Sequence, residues 1–194
     1  VTRSSHADVI GGATVQAVND ATVHAVSTAT VAQIAAGAGA GVQAGVAGSG
    51  NAVLLGGDTR ARVDASTIAA RDVSVLAEGA NRTNLIAGAI GGGGVAGAGL
   101  SYTVNVSGSN VRALVNNSLL QADGDVKIHA TNVTEELAVS ASVGGGGIAG
   151  AAIGAAVTVL EGNTEAALSG SSSVERRTRA TGTVAFTGGA DVTL

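Results

Sequence analysis

A seven-residue stretch, Gly91-Gly92-Gly93-Gly94-Val95-Ala96-Gly97, recurs 53 residues later as Gly144-Gly145-Gly146-Gly147-Ile148-Ala149-Gly150. The residues around it keep step. Arg71-Asp72-Val73-Ser74-Val75 precedes the first copy as Gly124-Asp125-Val126-Lys127-Ile128 precedes the second, again 53 apart (73 to 126). Ala21-Thr22-Val23-His24-Ala25-Val26 reads as an earlier and slightly shorter copy, with Val23 placed 50 before Val73. A third series runs Asp58-Thr59-Arg60-Ala61-Arg62-Val63, Asn110-Val111-Arg112-Ala113-Leu114-Val115 and Asn163-Thr164-Glu165-Ala166-Ala167-Leu168. A preserved period of this length marks a repeat array, in which each unit buries its apolar face only against its neighbours.

Within a unit the signal is β. Val, Ile and Thr are enriched and alternate with period two, as in Tyr102-Thr103-Val104-Asn105-Val106-Ser107, where Tyr102, Val104 and Val106 share one face. In the third series Thr or Val, Ala, and Val or Leu share a face, with Arg or Glu on the other. The leading Asp58, Asn110 and Asn163 read as turn residues, since their short side chains bond nearby backbone. The second copy predicts strands at about Val73–Ala77, Asn84–Ile90, Leu100–Val106 and Val111–Val115, and in this β reading the glycines of the Gly/Ala run permit tight stacking or close contact between neighbouring sheets. Short strands at that density predict an all-β solenoid, a right-handed parallel β-helix with a 53-residue repeat and about two coils per repeat. Parallel stacking leaves only two edges for the whole array. The chain divides into copies at about 13–65, 66–118 and 119–171, and a partial fourth at 172–194, all one solenoid and read as a piece of a longer array. The last copy carries an apparent insertion of about thirteen residues, judged from Asp191-Val192 as the counterpart of Asp125-Val126.

Composition narrows the function. The 194 residues contain one Tyr, one Phe and no Trp, Met, Pro or Cys, so Ala, Val, Ile, Leu and Gly must fill the interior. A formal charge of −4 with 12% charged residues gives no basic face for nucleic acid. The Gly/Ala runs approach the length of a membrane span, but consecutive glycines disfavour a helix, so no membrane insertion of this segment is expected. No Gly-Lys-Ser/Thr follows the glycines, no metal-ligand spacing links His6, His24 and His129, and no cofactor is expected. Asp123/Asp125 and Glu135-Glu136 are the only close carboxylates. They support, as an alternative, a polysaccharide-active β-helix enzyme, although stacking aromatics are nearly absent. The densest charge, Arg176, Arg177 and Arg179 in the inserted stretch, is the candidate binding site. Asn81-Arg82-Thr83, Asn105-Val106-Ser107, Asn116-Asn117-Ser118 and Asn132-Val133-Thr134 match the glycan-acceptor pattern.

Gly124-Asp125-Val126-Lys127-Ile128-His129-Ala130, the Gly/Ala run, Ala156–Val159 and Asn163–Leu168 together resemble giant bacterial surface exoproteins, the filamentous haemagglutinin-like and leukotoxin-type filamentous adhesins. The resemblance covers nearly the whole chain apart from the Arg-rich stretch. It implies a secreted, non-enzymatic β-helical shaft at the bacterial cell surface, used in attachment, cell–cell contact or biofilm. The implied partners are host or bacterial surface molecules, including glycans. It carries no catalytic residues across. A second reading is an extracellular filament subunit that self-associates end to end.

Overall fold

The computed structural model describes residues 1–176 and 184–193. Among them every regular element is a strand. The first coil holds β1 (Thr2–Val9), β2 (Thr14–Gln16) and β3 (Ala21–Gly41). The second holds β4 (Ala44–Asp64), β5 (Thr67–Ala70) and β6 (Val73–Gly93). The third holds β7 (Ala96–Asn116), β8 (Leu119–Ala122) and β9 (Val126–Gly146). The fourth holds β10 (Ala149–Ser169), β11 (Ser173–Arg176) and β12 (Val184–Thr193). Three four-stranded sheets result, all parallel: sheet A from β1, β4, β7 and β10, sheet B from β2, β5, β8 and β11, and sheet C from β3, β6, β9 and β12. This is a right-handed parallel β-helix.

One sequence repeat is one coil, not two. Val73 pairs with Val126 and Gly91 with Gly144, so each residue stacks on its counterpart 53 positions away. The four short strands expected in the second copy merge into two of 21 residues each, β6 and β7, which meet at a Gly94-Val95 reversal within the Gly/Ala run. The expected strands stop short of the glycines at Gly91–Gly94. Gly91 and Gly93 are instead strand interior, where a Cβ would strike the Ala98 and Ala96 carbonyls, so the close contact between sheets expected of the glycines is what they make. The short strand of sheet B was missed, and Asp58, Asn110 and Asn163 lie in mid-strand rather than in turns. The early copy is also realigned: Val23 sits beside Val75, 52 away. In the last coil Val184 pairs with Val126, 58 away, so the excess over 53 is five residues rather than thirteen, and Asp191 falls beside Val133.

The stack has three zones. At the base, sheets A, B and C enclose a triangular aliphatic core. Like stacks on like: Val15, Ile68, Leu120 and Val174 form one column, and Val9, Val63, Val115 and Leu168 another. Each fully buried Val, Ile or Leu stabilises by roughly 1.5–3 kcal/mol. At the waist, sheet B is gone and sheets A and C face each other directly. Beside a small apolar cluster of Val53, Leu55 and Leu85, their inward side chains are short and polar: Ser101, Thr103, Asn105 and Ser107 on β7, Thr83 on β6. The gap is narrow enough for these groups to reach the opposite backbone. Ser49 donates to the Gly88 carbonyl at 2.8 Å, Asn51 Nδ2 to the Ile86 carbonyl at 2.8 Å, and Thr103 to the Val139 carbonyl at 3.3 Å. The Ser101 and Ser140 hydroxyls meet at 2.7 Å. Thus Thr103, Asn105 and Ser107 point inward, and Tyr102 points out, 56% exposed.

Beyond the waist lies a thin blade. Here the sheets approach backbone to backbone. A Cβ on Gly91 would fall on the Ala98 carbonyl, and one on Gly144 on the Ala151 carbonyl. The alternate glycines, Gly92 and Gly145, point outward into open space. The chain reverses at the blade tip through two residues, such as Gly94-Val95 and Gly147-Ile148, passing from sheet C to sheet A without a hairpin ladder. At the opposite end, the corner from sheet A to sheet B uses a left-handed residue in successive coils: Ala65 (φ 48°), Asn117 (φ 47°) and Gly170 (φ 65°). A serine ladder secures it. The Ser66 amide donates to Ser118 Oγ and the Ser118 amide to Ser172 Oγ, both at 3.2 Å.

Candidate interaction surface

Charged side chains concentrate on the outer faces of the base and waist. On sheet A, Arg60 binds Asp8 in bidentate fashion, Nη2 at 2.8 Å and Nε at 3.3 Å. Asp58 accepts from Arg112 Nη2 at 2.7 Å and meets His6 Nε2 at 2.9 Å. Burial raises the Asp58 carboxyl, but the Arg112 and His6 bonds outweigh it and hold the group below its ordinary value. At the sheet B to sheet C corner, Arg71 bridges Asp20 at 2.7 Å and Asp72 at 3.1 Å, and the Asp125 amide donates to Asp72 Oδ1 at 2.8 Å. All of these except the Arg71–Asp72 pair join successive coils. Exposed pairs of this kind contribute little stability each, typically under about 1 kcal/mol.

On sheet C the same zones form a shallow trough crossing three coils. One depression, of about 390 Å³, is flanked by Thr28, Glu78, His129 and Thr131. A second, of about 200 Å³, adjoins it, with Thr30, Arg82 and Glu135 on its walls. Arg82 Nε donates to Glu135 at 2.6 Å, and Thr131 Oγ1 meets His129 Nε2 at 2.5 Å. The trough therefore offers hydroxyls, an imidazole, carboxylates and a guanidinium within one groove, spread over strands that lie 50 or more residues apart in sequence. Sequence reasoning missed it. The available signal was Arg82 and Glu135, opposite charges one repeat apart on the outward phase.

The carboxylates suggested for an enzyme are not brought together. Asp123 and Asp125 sit in the link before β9, at the base corner. Glu135 faces out and is paired with Arg82. Its neighbour Glu136 faces in, only 6% exposed, beside Thr83 of the preceding coil. Burial pushes the Glu136 carboxyl above its ordinary value of 4.5; Ser107 and Asn105 lie near enough to offset part of this. Neither makes a well-formed hydrogen bond to either carboxylate oxygen, so burial dominates. No group of three His, Cys, Asp or Glu residues suited to a metal occurs among the described residues.

Arg176 closes β11 beside Ala122. Arg177 and Arg179, its partners in the expected binding loop, lie outside the described residues. Of the glycan-acceptor patterns, Asn81, Asn105 and Asn132 point into the solenoid, where no glycan fits. No helix among the described residues is long and apolar enough to cross a membrane.

The chain matches no family model, no curated protein and no solved structure.

Proposed function

We propose that this chain is part of the β-helical shaft of a secreted bacterial adhesin, similar to the filamentous haemagglutinin-like and leukotoxin-type exoproteins. In this reading it is non-enzymatic, lies at the cell surface, and supplies both spacing and a lateral contact surface. The observation that carries the reading is the dispersal of chemistry along an in-register stack. Polar groups repeat at the coil period on outer faces, and the neighbouring carboxylates Glu135 and Glu136 point to opposite sides of a sheet. A surface of that kind binds through many weak contacts, and the sheet C trough is its most varied part.

The partners would be host or bacterial surface molecules, including glycans held by Thr, His, Glu and Arg in the trough. The test is adhesion of cells to beads coated with the protein at graded density. Retention should rise more steeply than linearly with density and fall when Arg82→Glu is introduced. Retention that tracks density linearly and ignores that substitution, or measurable cleavage of a polysaccharide panel, would overturn the reading.

A further inference from the structure

The blade reverses the usual distribution of side chains. Its interior is Gly and Ala, and its exterior carries Ile, Val and Leu. On the outer face of sheet C these side chains are arranged in columns by the coil register. One ridge is Ile34, Ile86 and Val139, and the next is Ala38, Ile90 and Val143. Ile34 is 78% exposed and Ile90 is 62% exposed. Between and beyond the ridges run grooves with almost no side chain: Ala36, Gly88 and Ala141, then Ala40, Gly92 and Gly145. Ridge and groove alternate every two residues, about 6.6 Å along the strand.

This pattern is its own complement. A two-fold axis along the stacking direction, placed midway between the columns of Ala36 and Ala38, sends the Ile34 ridge onto the Ala40 groove. The same operation sends the Ile90 ridge onto the Gly88 groove, and each fit is reciprocal. An isologous interface needs such self-complementarity, and ridges seated in glycine grooves form the dry interdigitation of a steric zipper. The axis leaves the stacking direction unchanged, so the two solenoids run parallel and every added coil extends the contact.

We infer that the sheet C face of the blade is a lateral self-association surface whose occupant is a second copy of this chain. Its area sets the strength. Eleven residue positions by three strands span on the order of 36 by 14 Å, roughly 500 Å² per copy. The two copies together bury about 1,000 Å², the lower limit for a specific interface. The pairing is therefore reversible and weak for these coils, and stronger for longer arrays.

The experiment is sedimentation velocity on the full chain from micromolar to about 0.5 mM, with circular dichroism as the check on fold. Wild-type protein should show a concentration-dependent dimer. Ile90→Asp charges the ridge. Gly88→Leu fills the groove while making the face more apolar; a Cβ there meets only the Ala141 carbonyl, at 3.8 Å. Each should weaken the dimer roughly tenfold or more, as at an interface hot spot. Leu100→Asp, on the outer face of sheet A, should leave it unchanged. The inference fails if the wild type stays monomeric throughout. It also fails if Gly88→Leu strengthens association, which marks a nonspecific apolar face. Binding to neutral phosphatidylcholine vesicles without dimer formation would likewise overturn it and assign the face to lipid. None of these failures bears on the shaft reading, which the bead assay tests separately.

Discussion

Adjacent glycines in the blade should respond oppositely to the same substitution. Gly91→Ala drives a methyl group onto the Ala98 carbonyl, and only movement of one sheet against the other relieves the clash. Overpacking of this kind costs typically 1–3 kcal/mol. Gly92→Ala places its methyl group in open space on an extended strand. It should stabilise by about 0.4–1 kcal/mol, because alanine restricts the unfolded chain. The two variants should therefore differ by about 1.5–4 kcal/mol. In a chain of this size that is roughly 3–16 °C in unfolding midpoint. Thermal unfolding followed by circular dichroism measures it. Gly144→Ala and Gly145→Ala repeat the comparison one coil further on, since Gly144 meets the Ala151 carbonyl and Gly145 meets nothing. A flexible Gly-rich loop, or a helix, would treat neighbours alike. If the Gly91 and Gly92 variants are indistinguishable, or their order is reversed, the close approach of the two sheets is wrong.

Further expectations follow from the base and waist. Ile128→Ala, in the triangular core, should cost about 2–5 kcal/mol by denaturant titration, against under about 0.5 kcal/mol for Lys127→Ala on the outward phase. Glu136 has a raised folded pKa, so its contribution is full below its ordinary value and is lost as pH rises through the folded value. Glu136→Gln should flatten that fall in stability, which sets in as pH rises past the ordinary value of 4.5. Asp58 has the opposite sign: its contribution is present above its ordinary 3.8 and is lost as pH falls through the lowered folded value. Arg112→Ala should shrink this acid loss, by under about 1 kcal/mol because the pair is partly solvated. Ala65→Asn should raise stability by up to about 1 kcal/mol, since asparagine tolerates the left-handed corner and already occupies it at Asn117.

The repeat and the all-β class were legible because in-phase residues such as Val73 and Val126 are direct neighbours in a sheet. The face assignment in the third series was legible too: Val111, Ala113 and Val115 are buried, and Arg112 points out. The coil count was not, because strands that stop short of the glycines number four rather than two, and the partner of Gly91 is a backbone carbonyl seven residues away. The waist was not legible for a related reason. Alternation in Tyr102–Ser107 separates two faces but does not say which is inside. Inside the waist, hydroxyls and an amide that reach the opposite carbonyls share the interior with Val53, Leu55 and Leu85, so the usual preference for apolar residues inside does not decide the face. The trough gathers residues from three coils, so no local motif announces it.

The single coil per repeat has a mechanical consequence. Fifty-three residues advance the stack by one strand spacing, about 4.8 Å, or roughly eleven residues per ångström of length. An α-helix advances about 1.5 Å with every residue. Reach in an array of this kind therefore comes only from stacking many coils. What it builds is breadth: a 21-residue strand runs about 70 Å across, while the blade is only two sheets thick. Such a body bends like a plank, yielding across its thin dimension and resisting within the plane of its broad faces.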